Sequence, residues 1–262
     1  PTNRTDDLNT GGNRSGQFDH NYSWVDTVGG CALAPCDPLY HGTHTMGTIV
    51  GDDGQAGDNQ IGVAPGARWI SARACDYDGC TLAALLAAGE WMLAPTDLNG
   101  QNPRPDLRPQ IVNNSWGDCG RSYDDWYEGV IDAWIAAGIA PLFSNGNNSN
   151  CSYPINPPLN TVGNPARSGK VLGIGSTGRN NGAYATHSNK GPTDDPNPGL
   201  PTYPAPLGFP YLKPNVVAPG VNINSAYASG DAAYGGMTGT SMSAPNAAGV
   251  VALIWDAAAC LK

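Results

Sequence analysis

Short apolar runs alternate along this chain with longer stretches in which Ala, Leu, Ile and Trp recur at helical spacing. The runs fall at 68–73, 110–114, 139–143, 171–176 and 215–218, each short, as buried parallel strands are. The helical stretches fall at 41–50, 81–94, 123–138 and 243–259. Strands alternating with helices predict an α/β fold, a mostly parallel central sheet with helices on both faces. Residues 1–40 are polar, rich in Asn, Asp and Gly and without a period, so they read mostly as loop. Eight prolines between 192 and 214 predict a surface excursion. No repeat or linker interrupts the 262 residues, which predicts a single domain over 1–262.

Charge and cysteines narrow the function classes. With 13 Lys+Arg against 22 Asp+Glu and a net charge of -9, no basic stripe offers itself to nucleic acid. No stretch approaches the roughly 20 uninterrupted apolar residues of a membrane helix. Seven cysteines stand at 31, 36, 75, 80, 119, 151 and 260. Cys31/Cys36 and Cys75/Cys80 lie in loop-like sequence and predict short-loop disulfides, since the Cys-x-x-Cys pairs that zinc favours are missing. Disulfides imply an oxidising compartment, so the protein reads as extracellular. The chain opens on Pro1 without a signal-like apolar run, which reads as a processed or trimmed N-terminus.

Two segments carry chemistry. Gly239-Thr240-Ser241-Met242-Ser243-Ala244-Pro245 opens the last helical stretch. A serine there lies beside free backbone N–H groups that favour negative charge, although Ser is also a common helix cap. His41-Gly42-Thr43-His44-Thr45-Met46-Gly47 supplies an imidazole, the usual base for a serine hydroxyl. All four histidines, at 20, 41, 44 and 187, precede Ser241, an order opposite to that of α/β-hydrolases. H-G-T-H lacks the spacing and glutamate of H-E-x-x-H, so no catalytic metal is expected, and His44 reads as a packed supporting residue.

Six segments in order resemble the subtilisin-like serine proteases: H-G-T-H-x-x-G at 41–47, I-G-V-A-P-G at 61–66, N-N-S-W-G at 113–117, N-G-N at 145–147, V-A-P-G at 217–220 and G-T-S-M-S-A-P at 239–245. The pairing of I-G-V-A-P-G-A-R-W with N-N-S-W-G is most similar to the bacillopeptidase F branch. The resemblance implies a subtilisin-like three-layer fold and a secreted endopeptidase acting on protein or peptide substrates. Ser241 becomes the nucleophile, His41 its base and Asn147 the side-chain donor to the oxyanion. Ser115, Trp116, Gly117 and Gly146 become substrate-binding residues. Gly163 becomes the floor of a P1 pocket with room for a large apolar or aromatic side chain. Because 115–119 and 147–151 then border one pocket, a Cys119–Cys151 disulfide is expected to brace it.

The resemblance also exposes a gap. The family places an aspartate in a V-x-D-[ST]-G strand before the histidine, and this chain shows none. Asp26-Thr27-Val28-Gly29 only imitates it, while Asp6 and Asp7 sit in polar sequence. The expectation is a cleaved N-terminal fragment carrying that aspartate and its strand, with Cys260 as one candidate for a cysteine partnered there. The competing reading is an inactive subtilase fold that serves as a binding or scaffold module. Asn246 stands where the family usually has a histidine and is expected to fill a local hydrogen bond. The loop 51–60 gathers Asp and Asn oxygens and reads either as a structural calcium site or as a solvated acidic turn. No cofactor is expected for catalysis.

Overall fold

The computed structural model describes residues 20–52, 60–195 and 212–258. Their contacts group into two compact units. One reaches to Gln110 and takes in Ala226–Tyr234; the other comprises Ile111–Ser225 and the residues from Gly235 on.

The first unit contains β1 (Trp24–Asp26), α1 (His41–Val50), β2 (Ser71–Arg73) and α2 (Leu82–Leu93). β1 runs parallel to β2, with Trp24 opposite Ser71 and Asp26 opposite Arg73. The loop reading of 1–40 therefore misses a strand, because three residues carry no period. What fixes β1 is non-local. The Trp24 indole N–H donates to the Cys31 carbonyl at 2.8 Å, and the Asp26 carboxylate meets Arg73 at 3.2 Å. The Thr81 hydroxyl accepts the Ala84 N–H and starts α2, which turns Ala84, Leu85, Ala88 and Trp91 inward and packs on β1 and β2.

In the second unit, β3 (Ile111–Asn114), β4 (Ala140–Ser144), β5 (Leu172–Thr177) and β6 (Val216–Pro219) form a parallel sheet in that order. β4 and β5 are buried at successive positions, the mark of strands covered on both faces. α3 (Glu128–Ala136) packs on β4, and α4 (Thr240–Ala257) runs across all four strands. Ile131, Trp134, Leu142, Phe143, Ile174 and Met242 fill the space between them. β7 (Ile223–Ala226) and β8 (Tyr234–Met237) pair separately. At four residues each, with sequences INSA and YGGM, they are too short to announce themselves in the sequence.

Two helix limits move for local reasons. The stretch 123–138 narrows to α3 because Asp124 and Asp125 turn the chain first, accepting from the Trp126 and Glu128 N–H groups. The last helix starts at Thr240 rather than 243, which brings Ser241 into its first turn. Of the proline-rich excursion, 196–211 lie outside the described residues. Beside it, the buried Arg167 reaches Asp194 at 2.7 Å, and the buried Lys213 donates to the Val171 carbonyl at 2.8 Å.

Candidate active site

Parallel strands deliver their C-terminal ends to one edge of the sheet, and there the second unit gathers residues from β3, β4 and the start of α4. Ser241 is the second residue of α4, so its N–H lies among those left without an intrahelical acceptor. Its hydroxyl donates to the Ser115 carbonyl at 3.1 Å, and the Ser115 hydroxyl donates to the Ser241 carbonyl at 2.8 Å. The second bond has a cause in the sequence. Pro245 stands four residues after Ser241 inside the helix and has no N–H to give that carbonyl. Ser115, just past the end of β3, fills the place.

Asn147 follows β4. Its side-chain oxygen accepts from the Thr240 N–H at 2.9 Å and the Thr240 hydroxyl at 3.2 Å. An oxygen held by two donors leaves the amide nitrogen as the outward donor. A Cβ placed on Gly239 would stand 3.4 Å from that nitrogen and 3.7 Å from the Ser241 N–H nitrogen. The Asn147 amide, whose oxygen would stand 3.6 Å from the same point, and the Ser241 N–H thus both border the space above Gly239. Gly146 precedes Asn147 with φ +91, and a Cβ there would meet the Asn189 amide at 2.8 Å, so both turn and packing require glycine.

The segment after Ser115 is fastened to 163–164. The Asp118 N–H donates to the Asn164 carbonyl at 2.9 Å, and the Asp118 carboxylate accepts the Asn164 N–H at 2.7 Å. A Cβ on Gly117 would stand 3.0 Å from the Asn164 carbonyl oxygen. A Cβ on Gly163 would collide with the Asp118 carbonyl, so close backbone approach requires glycine there. Trp116 joins an aromatic cluster, edge-on to Tyr127 at 5.1 Å and to Phe143 at 5.3 Å. Cys119 and Cys151 are disulfide-bonded, as are Cys31–Cys36 and Cys75–Cys80. Asn246 donates to the Pro219 and Met242 carbonyls, the local bonding expected of it.

His41 belongs to the first unit, as the first residue of α1 after Tyr40 in the left-handed region at φ 60. Burial pushes its pKa below the ordinary 6.5; Asp37 opposes that and His44 adds to it. His44 is fully buried. Asp26 is committed elsewhere. Its carboxylate accepts the N–H groups of Val28, Gly29 and Cys31 and pairs with Arg73, a bracing role for the loop that follows β1.

Comparison with protein families matches residues 15–261 to the Subtilase family. The chain belongs to the subtilases. Over 240 residues, 92% of this chain and 15% of the relative, it is 42% identical to bacillopeptidase F of Bacillus subtilis (strain 168). It is 29% identical to the serine protease AprX of the same organism, over 84% of this chain and 49% of that one. The subtilase chain thus spans half or less of these two relatives. Among solved structures, a cold-adapted subtilisin-like serine proteinase matches 90% of this chain and 69% of its own, with a TM-score of 0.60 and 23% identity. Sphericase matches 92% of this chain and 73% of its own, with a TM-score of 0.62 and 20% identity. The fold is therefore subtilisin-like α/β, as the segments at 41–47 and 239–245 implied.

Some expectations for this subtilase fall on residues 1–19, 53–59 and 259–262. Asp6, Asp7, most of the 51–60 loop and Cys260 lie outside the described residues. Sequence reasoning overlooked Thr240 and Pro245, although both stand inside the motif around Ser241. A proline four residues after a serine, within a helix, was the signal for the second.

Proposed function

We propose that this chain is the catalytic domain of a secreted serine endopeptidase working through an acyl-enzyme. The observation that carries the reading is that the Asn147 amide, its oxygen occupied by Thr240, and the Ser241 N–H border one space over Gly239. Ser241 Oγ attacks the scissile carbonyl carbon, and its proton passes to His41. The carbonyl oxygen, now an oxyanion, accepts from the two donors above Gly239. Collapse breaks the C–N bond, His41 returns the proton to the departing amine, and water then releases the acyl group by the same route. The edge at Ser115–Gly117, with Gly146 nearby in sequence to Asn147, offers main-chain partners to an extended peptide. Three disulfides favour an extracellular setting.

The triad carboxylate belongs to the proposal as well. Asp26 is tied to Arg73 and three N–H groups, which supports a carboxylate supplied from sequence preceding this chain, either covalently continuous or as a cleaved fragment. Intact mass of an active preparation tests the fragment: a single species of about the 27.1 kDa of this chain would rule it out. The commitment of Asp26 equally favours the inactive binding module. Fluorophosphonate labelling separates the two, with an adduct on Ser241 expected for the enzyme and none on freshly purified protein for the module. A structural calcium in the 51–60 loop completes the reading; chelation lowers the melting temperature if it is bound and leaves it unchanged if the loop is a solvated turn.

A further inference from the structure

The loop that leads into α1 is held more firmly than a connector requires, and the restraints converge on one carboxylate. Tyr40, the residue before the helix, gives no side-chain cap. Asp37 caps the helix instead: its Oδ2 accepts the Thr43 N–H at 2.6 Å, while its own carbonyl accepts the Tyr40 N–H at 3.3 Å. The carboxylate also lies against Gly42, where a Cβ would stand 3.6 Å from Oδ2. On one side of Asp37, Cys36 is bonded to Cys31, whose N–H is anchored on Asp26 at 2.7 Å. On the other, the Pro38 carbonyl accepts from the Tyr77 hydroxyl at 2.9 Å, and Tyr77 sits in the small loop closed by Cys75–Cys80. Both short disulfide loops therefore restrain the residue that flanks His41.

We propose that Asp37 is a positioning residue for His41, fixing where α1 begins and supplying the negative charge that favours the imidazolium. The need for such a charge follows from the helix. A cation at a helix N-terminus opposes the macrodipole, whereas a carboxylate there is favourable. His41 is the first residue of α1, so the proton it takes up during acyl transfer arrives at the unfavourable end. Asp37 offsets that, and it acts across the helix start rather than through a hydrogen bond to the ring. Among the described residues, Asp37 and His44 are the titratable groups that act on the imidazole, in opposite senses. The inference rests on the reading of His41 as the base, but its test does not require turnover.

The measurement is a titration of the histidine ring resonances in the 262-residue chain by NMR, with His41 assigned by its loss in His41→Gln. Asp37→Asn keeps an oxygen for the Thr43 N–H and removes the charge. The His41 midpoint is expected to move to lower pH in that variant while His187 stays in place. The shift should shrink in about 1 M salt, where the screening length falls to about 3 Å. A purely capping role would leave the His41 midpoint where it is, and that result in a folded Asp37→Asn chain overturns the proposal. Should the variant fail to fold, the unaltered chain still decides. Raising the salt concentration must lower its His41 midpoint, and a midpoint that holds or rises overturns the proposal. A chain whose serine takes no fluorophosphonate yet shows these shifts would refute the endopeptidase reading and leave the Asp37 assignment standing.

Discussion

Thr240 holds the side chain of Asn147 from two directions, through its N–H at 2.9 Å and its hydroxyl at 3.2 Å, both on the amide oxygen. The orientation of an asparagine whose neighbours offer only a single contact is easily reversed. Here two donors fix the oxygen as the acceptor and leave the nitrogen as the free donor, 3.4 Å from where a Cβ on Gly239 would stand.

Gly239→Ala tests that space. At φ 162 the backbone is extended and tolerates any residue, so the added methyl group acts by filling the position between the Asn147 amide and the Ser241 N–H. The rate of peptide hydrolysis should fall about 10²–10³-fold, the usual loss for an oxyanion donor, with the melting temperature little changed. Asn147→Ala should cost a similar amount, and the double variant little more than either, because both disable one device. Fully additive losses would show that the two positions do not share it.

Ser115→Ala tests the bond to the carbonyl freed by Pro245. The Ser241 carbonyl then loses its partner, at a cost of about 1–3 kcal/mol in denaturant unfolding. Pro245→Ala restores an N–H to the helix, so the double variant should lose less than the sum of the singles. Simple additivity would mean that the proline does not account for the Ser115 contact.

Cys119 and Cys151 lie 32 residues apart. Replacing both with Ser should reduce stability by about 3–4 kcal/mol on chain-entropy grounds. The disulfide also clamps the segment from Asp118 onward, so the KM for peptides should rise in the variant more than kcat falls. An unchanged KM would remove the pocket from the role of this bridge. A non-reducing peptide map gives the direct check on all three pairings.

Lys213 is buried, and burial pushes its pKa from 10.5 down to about 7. The unfolded chain keeps that proton up to its ordinary value, while the folded chain releases it from about 7. Between those limits the unfolded state binds more protons, so this group makes stability rise with pH and adds no slope below the window. Urea midpoints near pH 7 and pH 9 should differ in that direction, and the difference should disappear in Lys213→Met. A difference that survives the substitution would assign it to other groups.

Much of the architecture was legible in the sequence, for a physical reason. β4 and β5 are buried at successive positions because parallel strands are covered on both faces, and the observed limits of β3, β4 and β5 lie within a residue of the expected runs. α1 begins at His41 as expected, and the five-residue cysteine spacings could close only small loops. β1 was invisible because its determinants, Arg73 and the Cys31 carbonyl, lie outside it. Of the site, Ser241 and Asn147 stood out by motif, whereas Asp37 and the Thr240 contact did not. A cap that comes from three residues before the helix boundary, or a donor pair that fixes an amide, depends on distances no linear pattern encodes. The contact of Gly163 with the Asp118 backbone is hidden for the same reason.

The proline in α4 ties together two positions that sequence keeps far apart. So long as residue 245 lacks an amide hydrogen, residue 115 must bring a hydroxyl, and a lineage that lost either alone would carry an unanswered carbonyl at Ser241. The two sites should therefore drift as a pair, proline with serine or an amide-bearing residue with something smaller. Engineers who redesign the 115–117 segment will meet that constraint first, on the helix rather than on the segment itself.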